Sequence, residues 1–495
     1  MADLLNSEYP NWGLAGNQAV IPFGVGLGAS TVVRYIADPQ GPPNLAGQIL
    51  PAQIIGSSLM FLNLRDMRRK NLTLPSWADW NDYATLLSVE VIKAGLGVFV
   101  CPQLALWHDC SHKGDTSKQE QPSTETLAYL RRILKNSMIT TPTGAINLGS
   151  EFSGSDQRLD LEMASLRAAA IGRPRKTVAV VVRTRFTRPK SYLNRTISTA
   201  KALAAAAGDS TNFEIYIVTD KKSSPLAEYD GLLADIKIIE FEVPEVDDSR
   251  YHLVKHAATG IKADYFWFID DDDWVFPNEA ERLALAINAV PDESLIFLDC
   301  RHFYETPGPC GNEAAGKIKA GKTFFAKTFI MSLSGKNETP FCGVIYPHSL
   351  FLSIPEQCYK TVVYYEDFMS TMYALLMGRY LPVAVDKLFA GISIRPSGNT
   401  VTETNRRNWM YANSVVTSHL VNMPGGSQMM SLPLSALLNS LPSTSLSLRF
   451  RTMTLPLRRL AIKMGIPHYA LLRIYSKTKN VFIRIASALS NRKNT

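Results

Sequence analysis

At 495 residues the chain exceeds one domain of ordinary size, and 46% hydrophobic against 19% charged residues excludes a globally disordered chain. The net charge of +8 is one-sided: no Asp or Glu follows Glu403, and taking the thirteen Lys and Arg of that stretch from the total leaves the first 403 residues at −5, which excludes a nucleic-acid-binding body. Six cysteines without a CxxC pair and an N-terminus without a secretory pattern fit reduced thiols in a cytoplasmic protein, and no run reaches the roughly 18 apolar residues of a membrane span.

Residues 1–115 are rich in Gly and Pro, then carry Trp80-Asn81-Asp82-Tyr83, a helix, and a strand over 98–106 that runs into Trp107-His108. His108, Cys110 and His112 have zinc-like spacing, but no fourth ligand lies nearby, and an ordinary loop is the better reading. Residues 116–175 read as a helical connector, with helical periodicity at 124–137 and 159–171 and a boundary at Arg173-Pro174-Arg175-Lys176. From 176 to 405, strands and helices alternate: strands at 177–182, 213–219, 236–243, 265–269 and 294–298, an Ala-rich helix at 192–207, and a helix opened by Pro277 and reaching Ile287. Such alternation predicts a doubly wound, mostly parallel α/β sheet. Further on, Tyr365-Glu366-Asp367-Phe368 heads a helix to Gly378, followed by strands at 381–385 and 389–395. Order and spacing match those around Asp82, which we read as an internal repeat whose first copy lacks an upstream acidic cluster. Residues 406–495 form a basic helical region. Within 469–489 an apolar stripe (Leu471, Ile474, Phe482, Ile485) faces Arg473, Lys477 and Arg484, a pattern open to an anionic membrane or to docking on the protein itself.

The chemistry concentrates at residues 265–277. Five uncharged residues, Tyr265 to Ile269, run into Asp270-Asp271-Asp272-Asp273. A charge-free strand belongs in the middle of a parallel sheet, and ligands of such sheets bind beyond the carboxyl ends of the strands. Four acids there repel one another unless a cation sits among them, and hard oxygen donors suit Mg²⁺ or Mn²⁺. A metal so held can neutralise a diphosphate, which points to a nucleotide-linked substrate. The plain alternative is a set of acids at a helix N-terminus, for which one acid would do.

In this order, these segments resemble the family 2 glycosyltransferases, inverting enzymes of the GT-A fold. Residues 178–189 (VAVVVRTRFTRP) are similar to the first strand and its turn, 213–220 to the second strand with its nucleotide-contacting Asp, 268–277 to the metal motif, 364–368 to the Glu-Asp motif, and 392–401 (ISIRPSGNTV) to the closing Arg-bearing loop. Residues 1–115 resemble only the acceptor-binding half of such a domain. The resemblance implies Asp272 as metal ligand, Asp270 on the metal or ribose, and Asp367 as general base with Glu366 orienting a neighbour. It implies contacts to the donor nucleotide or its phosphates from Thr184, Asp220, Lys255 and Arg395. Two departures stand out. The second strand ends Thr219-Asp220-Lys221-Lys222 rather than in paired acids, and Arg395 is followed by Pro396 and Ser397 with no His.

The expected activity is metal-dependent, inverting transfer of a sugar from a nucleotide-sugar to a glycan or lipid-linked glycan, in surface polysaccharide synthesis at the inner face of the membrane. Two competing readings are a nucleotidyltransferase, which normally needs a Gly-rich turn that residues 183–189 lack, and a non-catalytic glycan-binding scaffold.

Overall fold

The computed structural model describes residues 1–395 apart from 27–28, 38–46, 57, 80–81, 108–121, 143, 150–157, 222–232, 234–235, 243–249, 306–317, 335–338 and 356–365. The expected helical tail at 406–495, with its stripe at 469–489, and the His108, Cys110, His112 trio lie outside the described residues.

The sheet is built around Lys176–Arg183, a β-branched run whose residues Val178 to Val182 are all buried. It pairs in parallel with Thr211–Asp220 on one side and Tyr265–Asp270 on the other, and Lys237–Phe241 continues the parallel set beyond Thr211–Asp220. Successive strand residues point to opposite faces. Val178, Val180, Tyr265 and Trp267 therefore join one apolar cluster with the helices Lys190–Ala206 and Ala280–Ala289. Ala179, Val181, Phe266 and Phe268 join a second with Arg250–Gly260 and Glu366–Met377. Helices cover both faces, so the doubly wound α/β reading holds.

Beyond Tyr265–Asp270 the order continues through Val344–Pro347, antiparallel to both neighbours, then Ser294–Glu305 and Leu381–Ile394, which run parallel to each other. Gln18–Val25 then adds antiparallel to Leu381–Ile394, pairing Gly24 with Ala384 and Val25 with Val383. The N-terminal residues thus extend the same sheet, and one core cluster spans both parts. They also form a small sheet in the order Leu50–Pro51, Gly97–Val100, Trp12–Gly16, Met60–Leu62. Arg173 fastens the halves. Its guanidinium donates to the carbonyls of Asn288, Ala289 and Val290 at 2.6, 2.8 and 3.2 Å, and it lies over the Tyr9 ring.

Three local expectations are corrected. The strand at 98–106 stops at Val100 and turns at Pro102–Leu104, because Pro102 has no N–H for the ladder. Residues 381–395 form one strand, Leu381–Ile394, which bulges between Val385 and Ala390 where it passes Leu298–Cys300 of its partner. The connector holds a hairpin, Met138–Thr141 with Gly144–Asn147, between the helices Thr124–Ile133 and Leu161–Ala170. Cys101, Cys300 and Cys342 are free, buried thiols. Among the described residues no helix is long and apolar enough to cross a membrane.

Candidate functional site

The parallel register sets Arg183, the last residue of its strand, beside Asp270, the last of its own. Arg183 is almost fully enclosed. It donates to Asp270 Oδ1 through Nη2 at 2.6 Å and Nε at 3.1 Å, and to Glu366 Oε1 through Nη1 at 2.7 Å. One guanidinium therefore joins two expected site residues, and Phe341 stacks beneath it. Glu366 is buried, and this ion pair orients Arg183. Asp367, half-buried beside it, accepts from the backbone N–H of Phe368 at 2.6 Å at the head of its helix.

The four aspartates occupy different environments. The Asp270 side chain is 41% exposed. Crowding disfavours its charge, but Arg183, Arg188 and Arg250 outweigh that and hold it below the ordinary carboxylate range. Asp271 accepts from the Thr184 hydroxyl at 2.6 Å and pairs with Arg188; burial nevertheless pushes its pKa up. Asp272 is buried with both oxygens engaged, Oδ1 by Arg188 and Oδ2 by Arg395 at 2.9 Å. Burial, with repulsion from Asp271 and Asp270, raises it to about 6 against the pull of the two arginines. Asp273 accepts from Ser393 N at 3.0 Å, and burial, then Asp272 and Asp270, hold it well above the usual range.

The turn carrying them is fixed from behind. Asp273 N donates to Asp270 O at 3.0 Å, and the Thr196 hydroxyl donates to the Asp271 and Asp273 carbonyls. Arg195 makes a two-pronged pair with buried Glu305 at 2.9 and 3.0 Å and donates to the Asp272 carbonyl at 2.8 Å. Its guanidinium lies 4.0 Å from the Trp274 ring centroid. That ring rests on Gly391, where an added Cβ would sit 2.5 Å from it.

Of the expected residues, Asp270 and Glu366 meet at Arg183, while Thr184, Asp271, Asp272 and Arg395 are joined through Arg188. Asp220 is buried at the end of the adjacent strand. Lys255 lies mid-helix on Arg250–Gly260, and it is Arg250, at the start of that helix, whose charge bears on Asp270. Sequence reasoning gave no role to Arg183, Arg188, Arg195 or Glu305. The one available signal was a charged residue closing each apolar strand. Among the described residues, no three His, Cys, Asp or Glu side chains converge as a metal shell. The oxygens of Asp272 face arginines instead.

A sheet of this topology, with acids at the end of its central charge-free strand, has the GT-A architecture. Residues 177–305 match the model of Glycosyl transferase family 2. No curated protein matches the chain. Among solved structures, Staphylococcus aureus TarS 1-349 is 13% identical (TM-score 0.34), over 56% of this chain and 77% of that one. The same protein with UDP-GlcNAc is 12% identical (TM-score 0.35; 56% and 79%). Mycobacterium tuberculosis glucosyl-3-phosphoglycerate synthase with Mn²⁺, UDP and phosphoglyceric acid is 15% identical (TM-score 0.32; 53% and 83%).

Proposed function

We propose that the chain transfers a sugar with inversion from a nucleotide-sugar to a glycan or lipid-linked glycan, in a metal-dependent reaction of surface polysaccharide synthesis at the cytoplasmic face of the membrane. The observation that carries this reading is the Arg183 bridge, which ties the acidic turn of a family 2 segment to Glu366 and the neighbouring Asp367. Carboxylate oxygens are the hard donors Mn²⁺ or Mg²⁺ take, and Asp270, charged and open, and Asp272 are the two that would hold the ion. When bound, the ion neutralises the leaving diphosphate as a Lewis acid. Arg188 and Arg395 pair with Asp272, and with a cation held on that carboxylate the two guanidinium groups would be available to phosphate oxygens.

Asp367 serves as general base for the acceptor hydroxyl, and Glu366 keeps Arg183 in place. Thr184, Asp220 and Lys255 line the approach of the nucleotide. Residues 1–115 pack on the catalytic domain or hold the growing glycan, and do no chemistry. The Asp82 carboxylate, the counterpart of Asp367, is buried and accepts from Ser123 N at 2.9 Å, the N-cap of Thr124–Ile133. A panel of nucleotide-sugars read by release of free nucleotide with Mn²⁺ present tests the reading. Release from none of them, by protein that binds nucleoside diphosphate, would refute it.

A further inference from the structure

Between Ser58 and Ala78 the chain carries four basic residues and a single acid, Asp66, which is buried. Asn63 links the two elements of this stretch. Its side chain donates to the Trp12 carbonyl at 3.0 Å and accepts from Asp66 N, so the helix Leu64–Arg69 starts directly at the end of the strand Met60–Leu62. At 100° per residue, Leu64, Arg68, Arg65 and Arg69 fall within an arc of about 140°, and all four are exposed; Asp66 and Met67 turn inward. The adjoining strand closes the small sheet. Among the described residues it is paired on one side only, and it exposes Phe61 and Leu62 by about two-fifths of their surface. Leu64 is 54% exposed.

We infer that this face docks the protein on an anionic lipid surface. Three arginines with Lys70 next to them supply the attraction to phosphate headgroups, and the exposed Leu62 and Leu64 supply what enters the acyl boundary, Phe61 lying on the other face of its strand against Trp12. The apolar component separates this face from a site for a soluble polyanion, which needs charge but no uncovered leucines. The one acid of the stretch, Asp66, is buried and pairs with Arg65 at 3.6 Å and Arg69 at 3.3 Å, so the four basic residues keep a net charge of about +3 on this face. The inference concerns the N-terminal part and stands apart from the catalytic reading, since its test measures partition, not turnover.

The full chain is sedimented with vesicles of phosphatidylcholine containing phosphatidylglycerol, and with phosphatidylcholine alone. We expect binding to the first only. The triple variant R65Q/R68Q/R69Q should lower partition about 100-fold at low salt, L64S should weaken it, and R65K/R68K/R69K should retain it. Thermal melting checks that each variant folds. Wild-type partition by the glutamine variant would overturn the inference, since binding would then lie elsewhere. So would absence of wild-type binding, a shift of L64S from dimer to monomer, or loss of heparin binding by the glutamine variant without loss of vesicle binding.

Discussion

At the scale of single residues, the site is a balance of four carboxylates against four arginines. Asp270 keeps its charge because Arg183, Arg188 and Arg250 surround it, and Asp272 is pushed to about 6 by burial. A cation competes with the proton on Asp272. Below pH 6 that proton must leave first, so Mn²⁺-dependent binding of a nucleoside diphosphate should weaken up to about tenfold per unit as pH falls and level off above pH 6. Asp272→Asn should abolish the metal-dependent component in a calorimetric titration while the protein stays folded; undiminished affinity would remove Asp272 from the site. Asp367→Asn should bind donor normally and lose at least the ~10²-fold in transfer that a general base supplies. Near-normal transfer would return Asp367 to capping its helix, a role its bond from Phe368 N already fills.

At the scale of elements, two helix heads with similar local sequence do different work. Asp82 spends its carboxylate on the N-cap of the next helix, whereas Asp367 borders the Arg183 network. Asp82→Ala should therefore cost about 1 kcal/mol of stability in thermal or denaturant unfolding, the usual scale of a lost capping contact. Single-sugar transfer should stay within about twofold, a change far smaller than losing a general base. A loss as deep as that of Asp367→Asn would make the first copy an active site. The absence of an acidic cluster upstream of Asp82 was legible in the sequence. The partner of Asp82 was not, because Ser123 lies 41 residues away.

At the scale of the whole molecule, the sheet runs from Lys176–Arg183 and its neighbours into the N-terminal segment, and buried Lys176 opens that strand. Its ammonium donates to Val290 O at 2.7 Å and meets Asp292 at 3.0 Å. Burial, helped by Arg173, lowers its pKa from 10.5 to about 8 against the pull of Asp292. Below pH 8 both folded and unfolded chains hold the proton. Between about 8 and 10.5 the unfolded chain holds it more tightly, so this group makes stability rise with pH. Wild type should gain up to roughly 3 kcal/mol over Lys176→Met across that window; parallel stability profiles for the two proteins would show that Lys176 titrates normally.

The sequence by itself determined the strand–helix alternation and where the acids gather. A strand buried on both faces tolerates no charge until it ends, so Tyr265 to Ile269 announces both the central strand and the acids beyond it. Tertiary structure decided which of those acids stay charged and what neutralises them. Arg183 reaches Glu366 across 183 positions and Arg395 reaches Asp272 across 123, and no local pattern encodes such pairings. Only the folded sheet brought Gln18–Val25 against Leu381–Ile394, because strand edges pair by geometry and burial rather than by proximity in the chain.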